Sequence, residues 1–300
     1  MLTTELKQRI LESLAANRDK FYGTDERFAI SLGINSSQYS RIKRGDIERV
    51  LSEENWLRLA RRLNVSVRNA PAWVTAETPV YKFITRQLEA CQASGISAML
   101  CDLSDIGKTY TAKRYAAQQP NAKYVDCSRH KSKQKLIRAI AREFGVVSTG
   151  RYSDVFESLT DWIKATPNPI IILDEFGDLS YEAILEVKAL WNATEENSRQ
   201  YCAYYIMGAD GLRQKMSRAI DGRRVGFSEL FSRFGKRYGH VIPEGGDGVA
   251  KILRETAALI IKANSGDGVN VNQVLNGAMG EDGRPSLRRI YTELTKSKGV

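Results

Sequence analysis

The chain has 300 residues, 42% of them apolar, with 45 basic side chains against 35 acidic ones and a net charge of +10. That is enough material for about two ordinary domains with a real core, and the composition excludes a collagen-like or disordered polymer. No run approaches the ~18 apolar residues of a membrane span, and the first ten residues, MLTTELKQRI, lack the apolar centre of a secretory leader. A protein of the cytoplasm with no membrane partner is expected. Cys91, Cys101, Cys127 and Cys202 are scattered without metal-ligand spacing, which suits buried free thiols in a reducing compartment. The only two histidines, His130 and His240, exclude a His-rich metal site. The cationic excess suits a polyanionic partner, although many basic proteins never meet nucleic acid.

Residues 1–66 read as helical. Leu6, Ile10 and Leu14 recur at helical spacing, followed by Phe28, Ala29 and Leu32, then Ile42, then Trp56, Leu57, Ala60 and Leu63. Residues 24–45 have helix-turn-helix form. Ala29 is small where two helices would cross, Gly33 supplies the turn, and Asn35 or Ser36 caps the second helix. That helix would present Ser36, Ser37, Gln38 and Arg41 to a major groove, with Lys43 and Arg44 near phosphates. A helical protein-interaction module would show the same core. Residues 67–78, which include Pro71, read as a linker into a helix beginning near Pro79.

From residue 95 the pattern changes. Short apolar runs at 96–100, 122–125, 170–173, 203–207 and 238–242 alternate with amphipathic stretches at 131–144, 155–164, 181–194 and 212–220. Alternating β and α predicts an α/β fold with a mostly parallel sheet flanked by helices over 79–243. After Gly245 the chain reads as helical again, at 249–263, 271–278 and 287–296, giving a small C-terminal helical unit over 244–300.

The segment Met99 to Thr109 follows a strand and opens a helix, the context of a phosphate-binding loop. Backbone amides of Ser104, Asp105, Ile106, Gly107 and Tyr110 would surround phosphates at a helix N-terminus. Lys108 would reach the β and γ phosphates of ATP, and Thr109 would hold Mg2+. Two acids depart from the pattern: Asp102 stands where glycine is wanted, and Asp105 lies inside the loop. The apolar strand from Pro169 ends in Asp174-Glu175, the form of a Walker B segment. Asp174 would serve the Mg2+ shell and Glu175 would orient the attacking water. Acids at strand ends are also common on solvated turns.

Segment order and spacing carry a resemblance. The helical head, the Val74-Thr75-x-Glu77-Thr78 lead, Cys101…Gly107-Lys108-Thr109, Ile171-Ile172-Leu173-Asp174-Glu175, Ile206-Met207-Gly208, Leu230-Phe231-Ser232-Arg233 and Leu287-Arg288 together resemble the phage Mu B-like family of AAA+ transposition ATPases. The resemblance implies an AAA+ P-loop core that binds ATP and Mg2+, self-associates as a ring or helical filament on double-stranded DNA, and offers that DNA to a partner transposase. It implies that Asp210 fills a polar sensor, although Ala209 sits where Asn is often found. Arg233 would be the finger that reaches a neighbouring subunit's γ-phosphate, with Arg237 and the Arg223-Arg224 pair as rivals, and Arg288 the second sensor. In such assemblies the basic run Arg129, Lys131, Lys133 and Lys135 would face DNA in the channel, although cations at a helix start oppose the dipole. Arg213, Lys215 and Arg218 form a weaker basic face. Three alternatives stay open: a helicase-loader ATPase, a DNA-binding regulator with a degenerate nucleotide site, and a plain repressor using the head alone.

Overall fold

The computed structural model describes residues 2–67, 73–197, 199–243, 247–266 and 269–297. Pro71 and Gly245, which marked the expected linker and the start of the C-terminal unit, lie outside the described residues.

Four helices form the head: α1 (Thr4–Lys20), α2 (Asp25–Leu32), α3 (Ser36–Lys43) and α4 (Glu53–Arg62). The Thr24 side chain caps α2, and Gly33 ends it at φ 76°, a left-handed angle that glycine adopts without Cβ strain. Asn35 and Gln38 then form a reciprocal capping box that starts α3. Most of the predicted apolar positions share one interior, with Ile10, Phe28, Ala29, Ile42 and Trp56 all buried; Leu57 is outside it and Leu59 lies inside.

The sheet is built from β1 (Ala98–Cys101), β2 (Ala122–Asp126), β3 (Ile170–Asp174) and β6 (Ala203–Gly208), in the order β1-β6-β3-β2, and every pairing is parallel. β3 is buried along its whole length, as a central strand covered on both faces must be. Its alternation divides the core. Ile170 and Ile172 join the layer holding α5 (Pro79–Ser94) and α6 (Lys108–Gln118). Ile171 and Leu173 join the opposite layer, with α7 (Lys133–Glu143), α8 (Tyr152–Ala165), α9 (Tyr181–Ala193), α10 (Asp210–Asp221) and α11 (Phe227–Arg233). Truncating a side chain such as Ile172 to alanine would cost about 2–5 kcal/mol. Gly208 is required at the end of β6, because a Cβ there would stand 2.8 Å from the Leu212 Cβ. The two-residue strands β4 (Glu195–Glu196) and β5 (Arg199–Gln200) pair as a small antiparallel hairpin that no apolar pattern announces.

The expected strand at 238–242 forms at one point only. Gly239 makes a single parallel bridge to Leu100 beside β1. Beyond it, the amides of Val241 and Ile242 donate to the Asp102 carboxylate, so no ladder can continue. The C-terminal helices α12 (Asp247–Asn264), α13 (Val271–Gly277) and α14 (Leu287–Ser297) enclose a separate small cluster containing Ile261, Val274 and Ile290. No helix among the described residues is long and apolar enough to cross a membrane.

Candidate functional site

β1 delivers the loop 102–107 to the first turn of α6. Gly107 caps that helix at φ 98°, and Asp105 is left-handed at φ 59°. The turn therefore aims the unpaired first-turn amides of α6 outward, a ready anion site. Lys108 is 9% exposed and folds back into the loop. Its ammonium donates to the Asp102 carbonyl at 3.0 Å and the Leu103 carbonyl at 2.5 Å. Burial holds its pKa below the usual lysine range, while Asp102, Asp174 and Glu175 pull the other way.

Both irregular acids turn away from the mouth of the loop. Asp102 is 8% exposed. One carboxylate oxygen accepts from the Leu103 amide at 2.7 Å, and the other accepts from the amides of Val241 and, at 3.0 Å, Ile242. A carboxylate with three amide donors is satisfied without water, so this residue ties the loop to segment 239–242. Asp105 points the opposite way, to the C-terminal helices. It accepts from the Ser286 hydroxyl at 2.7 Å and lies 3.8 Å from Arg288.

The Walker-type strand β3 sits against the loop. The Thr109 hydroxyl donates to Asp174 at 2.7 Å, and the Tyr124 hydroxyl donates to the same oxygen at 2.8 Å. The other Asp174 oxygen accepts from the Glu175 amide at 3.0 Å. Glu175 is left-handed at φ 51° and exposed at the strand end. Partial burial, then the neighbouring Asp174 charge, raise its pKa above the usual carboxylate value. Sequence reasoning missed Tyr124; the register that places Tyr124 on β2 beside Ile172 of β3 is a tertiary fact.

The other expected residues divide. Ser104 is exposed on the loop, whereas Ile106 is buried among the α5–α6 core residues and can offer only its backbone. Tyr110 is exposed and its hydroxyl meets Thr75 at 2.6 Å, tying α6 to the segment before α5. Asp210 is exposed at the start of α10 and accepts from Gln214 at 2.8 Å. A cleft of about 600 Å³ beside the loop is lined by Ser104, Asp210, Arg213, His240 and Arg284. Arg233 is not gathered with the loop. It donates to Asn192 at 2.9 Å and lies 4.8 Å over the Trp191 ring, on the α9–α11 surface.

On the head, Ser37, Arg41, Lys43 and Arg44 are exposed on or just after α3. Gln38 is partly spent on the capping box, and Ser37 donates to Asn35 at 2.8 Å. Arg41 pairs with Asp46 at 2.7 Å, Lys43 with Asp25 at 2.8 Å, and Arg44 donates to the Ser40 carbonyl at 3.2 Å. In the second basic run, Arg129, Lys131, Lys133 and Lys135 are all exposed. Lys131 pairs with Asp178 at 3.2 Å and Lys133 lies 5.7 Å over the Tyr152 ring.

Residues 96–216 match the family model described as an AAA domain. The sheet and its helices are an AAA+ P-loop fold. The matched part of this AAA+ core contains Lys108, Thr109, Asp174, Glu175 and Asp210, while Arg233, Arg288 and the head lie outside it. No curated protein matches the chain. Among solved structures, the Aeropyrum pernix ORC1 protein in complex with DNA aligns at 15% identity and TM-score 0.46, covering 77% of this chain and 68% of that one. The Aeropyrum pernix ORC2 protein, in ADPNP–ADP complexes, aligns at 15% identity and TM-score 0.44, covering 77% and 70%. At these values neither likeness bears on what the AAA+ core here acts upon.

Proposed function

We propose that the chain is an ATP-dependent, largely sequence-independent DNA-binding AAA+ ATPase that assembles on target DNA, offers it to a partner transposase and stimulates that enzyme. The observation that carries the nucleotide half is the contact between Thr109 and Asp174 at 2.7 Å, with Glu175 next in the chain. It joins the first turn of α6 to the acid that ends β3, the arrangement a phosphoryl-transfer site requires. ATP phosphates would sit on the first-turn amides of α6, and Lys108 would exchange its two loop carbonyls for phosphate oxygens. Thr109 and Asp174 would hold Mg2+, which when bound neutralises triphosphate charge. Thr109 and Asp174 are a sparse oxygen donor set, suited to a cation that takes its remaining ligands from phosphate and water.

Glu175 would hold and polarise the attacking water, and the burial and Asp174 charge that raise its pKa make its carboxylate a better proton acceptor than an ordinary one. Arg233 lies apart from its own loop, a placement that suits action on a neighbouring subunit in a ring or filament. Asp210 and Arg288 would report on the bound nucleotide. The exposed cations at and beyond α3, with Arg129, Lys131, Lys133 and Lys135, support contact with duplex phosphates. Their intramolecular pairs are exposed, and such pairs exchange partners at little cost.

The test is microscopy of the purified chain with duplex DNA, with and without ATP, followed by affinity capture against a transposase and a replicative helicase. Rings or filaments that need ATP, and capture of the transposase, are the expected result. Capture of the helicase instead would favour a loader. Assembly that ignores ATP would favour a DNA-binding regulator with an idle nucleotide site.

A further inference from the structure

A cleft of about 720 Å³ lies between the helical head and the AAA+ core. The ends of α1 and α4 form one wall, and α6, β2 and α7 form the other. Seven cations face two carboxylates across it. Both acids are occupied. Glu143 pairs with Arg62 at 3.1 Å, and Asp126 accepts from the Ser128 amide at 3.1 Å and the Ser128 hydroxyl at 2.6 Å. Among the described residues Lys20, Arg61, Lys113, Arg129 and Arg142 have no ion-pair partner.

At the base of the cleft the Lys123 ammonium lies 4.8 Å from the Phe21 ring and 5.7 Å from the Phe144 ring. An interface whose only task was to hold the head in place would lose stability from this unrelieved repulsion. The excess has a use if an anion enters. The unpaired cations come from five separate elements and most are exposed at the rim. Such a spread suits a chain of phosphates more than one phosphate group, and each strand of a duplex carries one charge per ~3.4 Å of axis.

We propose that this cleft is a second nucleic-acid site, seating the phosphate backbone of one DNA strand between head and ATPase core. The proposal rests on the DNA-binding reading above and adds a location that neither α3 nor the basic run at 129–135 supplies by itself. It also gives DNA a short route to the nucleotide site. Lys113 lies 5.3 Å over the Tyr124 ring, and the Tyr124 hydroxyl holds Asp174 at 2.8 Å. A phosphate that draws Lys113 outward changes the packing on the tyrosine that orients the Walker-type acid.

The test uses the full chain carrying Lys20→Ala, Arg61→Ala and Lys113→Ala together, three exposed positions. Duplex affinity is measured across a salt series, with the circular-dichroism spectrum and thermal melting as the check on folding. The variant is expected to keep its fold, bind duplex at least about tenfold more weakly near ~0.1 M salt, and show a log–log salt slope shallower by about 2–3. Unchanged affinity and slope would overturn the cleft proposal while leaving the DNA-binding reading intact. Wild-type protein that binds no duplex overturns both. Inorganic tripolyphosphate is titrated in parallel; if the variant loses that ligand but keeps duplex binding, the cleft is a small-anion site and the proposal fails. Amine-reactive footprinting of the wild-type chain is the second measurement. Duplex should protect Lys20 and Lys113, and labelling unaltered by duplex would overturn the proposal even if the triple variant misfolds.

Discussion

The Asp105 carboxylate in the phosphate loop accepts a hydrogen bond from the Ser286 hydroxyl at 2.7 Å, joining the loop to the start of α14. Arg288, 3.8 Å from the same carboxylate, adds little by itself because its side chain is 91% exposed. Asp105→Ala should cut this tie and remove a negative charge beside the triphosphate. Nucleotide affinity should rise about three- to tenfold, and amide exchange should quicken along α14. A fluorescent-nucleotide titration and hydrogen-exchange mass spectrometry read the two effects; lowered affinity would mean that the tie, and not the charge, dominates.

Asp102→Gly restores the glycine of the usual loop pattern, yet it should not improve the protein. The amides of Leu103, Val241 and Ile242 lose their acceptor. Leaving buried donors unmet costs about 1–3 kcal/mol. Thermal denaturation should show a lowered Tm, with ATP affinity unchanged or reduced. A gain in both would contradict the bracing role of this carboxylate.

Glu175→Gln keeps the shape of a left-handed residue at the strand end and removes its basicity. Phosphate release should fall by about 100-fold or more while ATP binding and DNA assembly persist. Tyr124→Phe should act more mildly, because Asp174 keeps Thr109 as a donor; the lost hydroxyl is worth about 1 kcal/mol. Steady-state phosphate release and nucleotide titration separate the two variants.

Burial between Phe21 and Phe144 pulls the Lys123 pKa down to about 8, and burial raises that of its neighbour Glu143. The unfolded chain keeps the ordinary lysine value of 10.5, so between about pH 8 and that value it binds more protons than the fold does. Stability contributed by this group therefore rises with pH across that window, and the cost of the buried charge is full below it. Lys123→Met should stabilise the protein by about 1–3 kcal/mol at pH 7, and the gain should shrink as the pH approaches 10. Chemical denaturation at several pH values measures it; a gain independent of pH would mean that packing is the cause.

The strand runs at 170–173 and 203–207 were legible because central parallel strands are apolar on both faces, and the loop was legible because Gly107, Lys108 and Thr109 stand between a strand and a helix. The head's turn was legible from Gly33 and the cap at Asn35. What escaped depends on partners distant in the chain. Asp102 looked like a flaw in the loop until Val241 and Ile242 came beside it. Tyr124 read as one more apolar strand residue until the β2–β3 register set its hydroxyl on Asp174. The run at 238–242 looked as strand-like as the others, and only the competing carboxylate explains why pairing stops at Gly239.

The Arg27 guanidinium lies 3.5 Å from the centroid of the Trp162 ring, and a Cβ on Gly145 would meet the Arg27 carbonyl at 2.3 Å. The head is thus fitted to the ATPase body at the level of its backbone. Trimming the chain after residue 66 would strip cover from Trp162 and Phe144 and leave an oily scar on the remaining fragment. Such a fragment should precipitate or self-stick more readily than the whole chain. Any loss of DNA binding on trimming would therefore mix a missing contact with poor solubility, and point substitutions on the exposed face of α3 are the cleaner way to ask what the head reads.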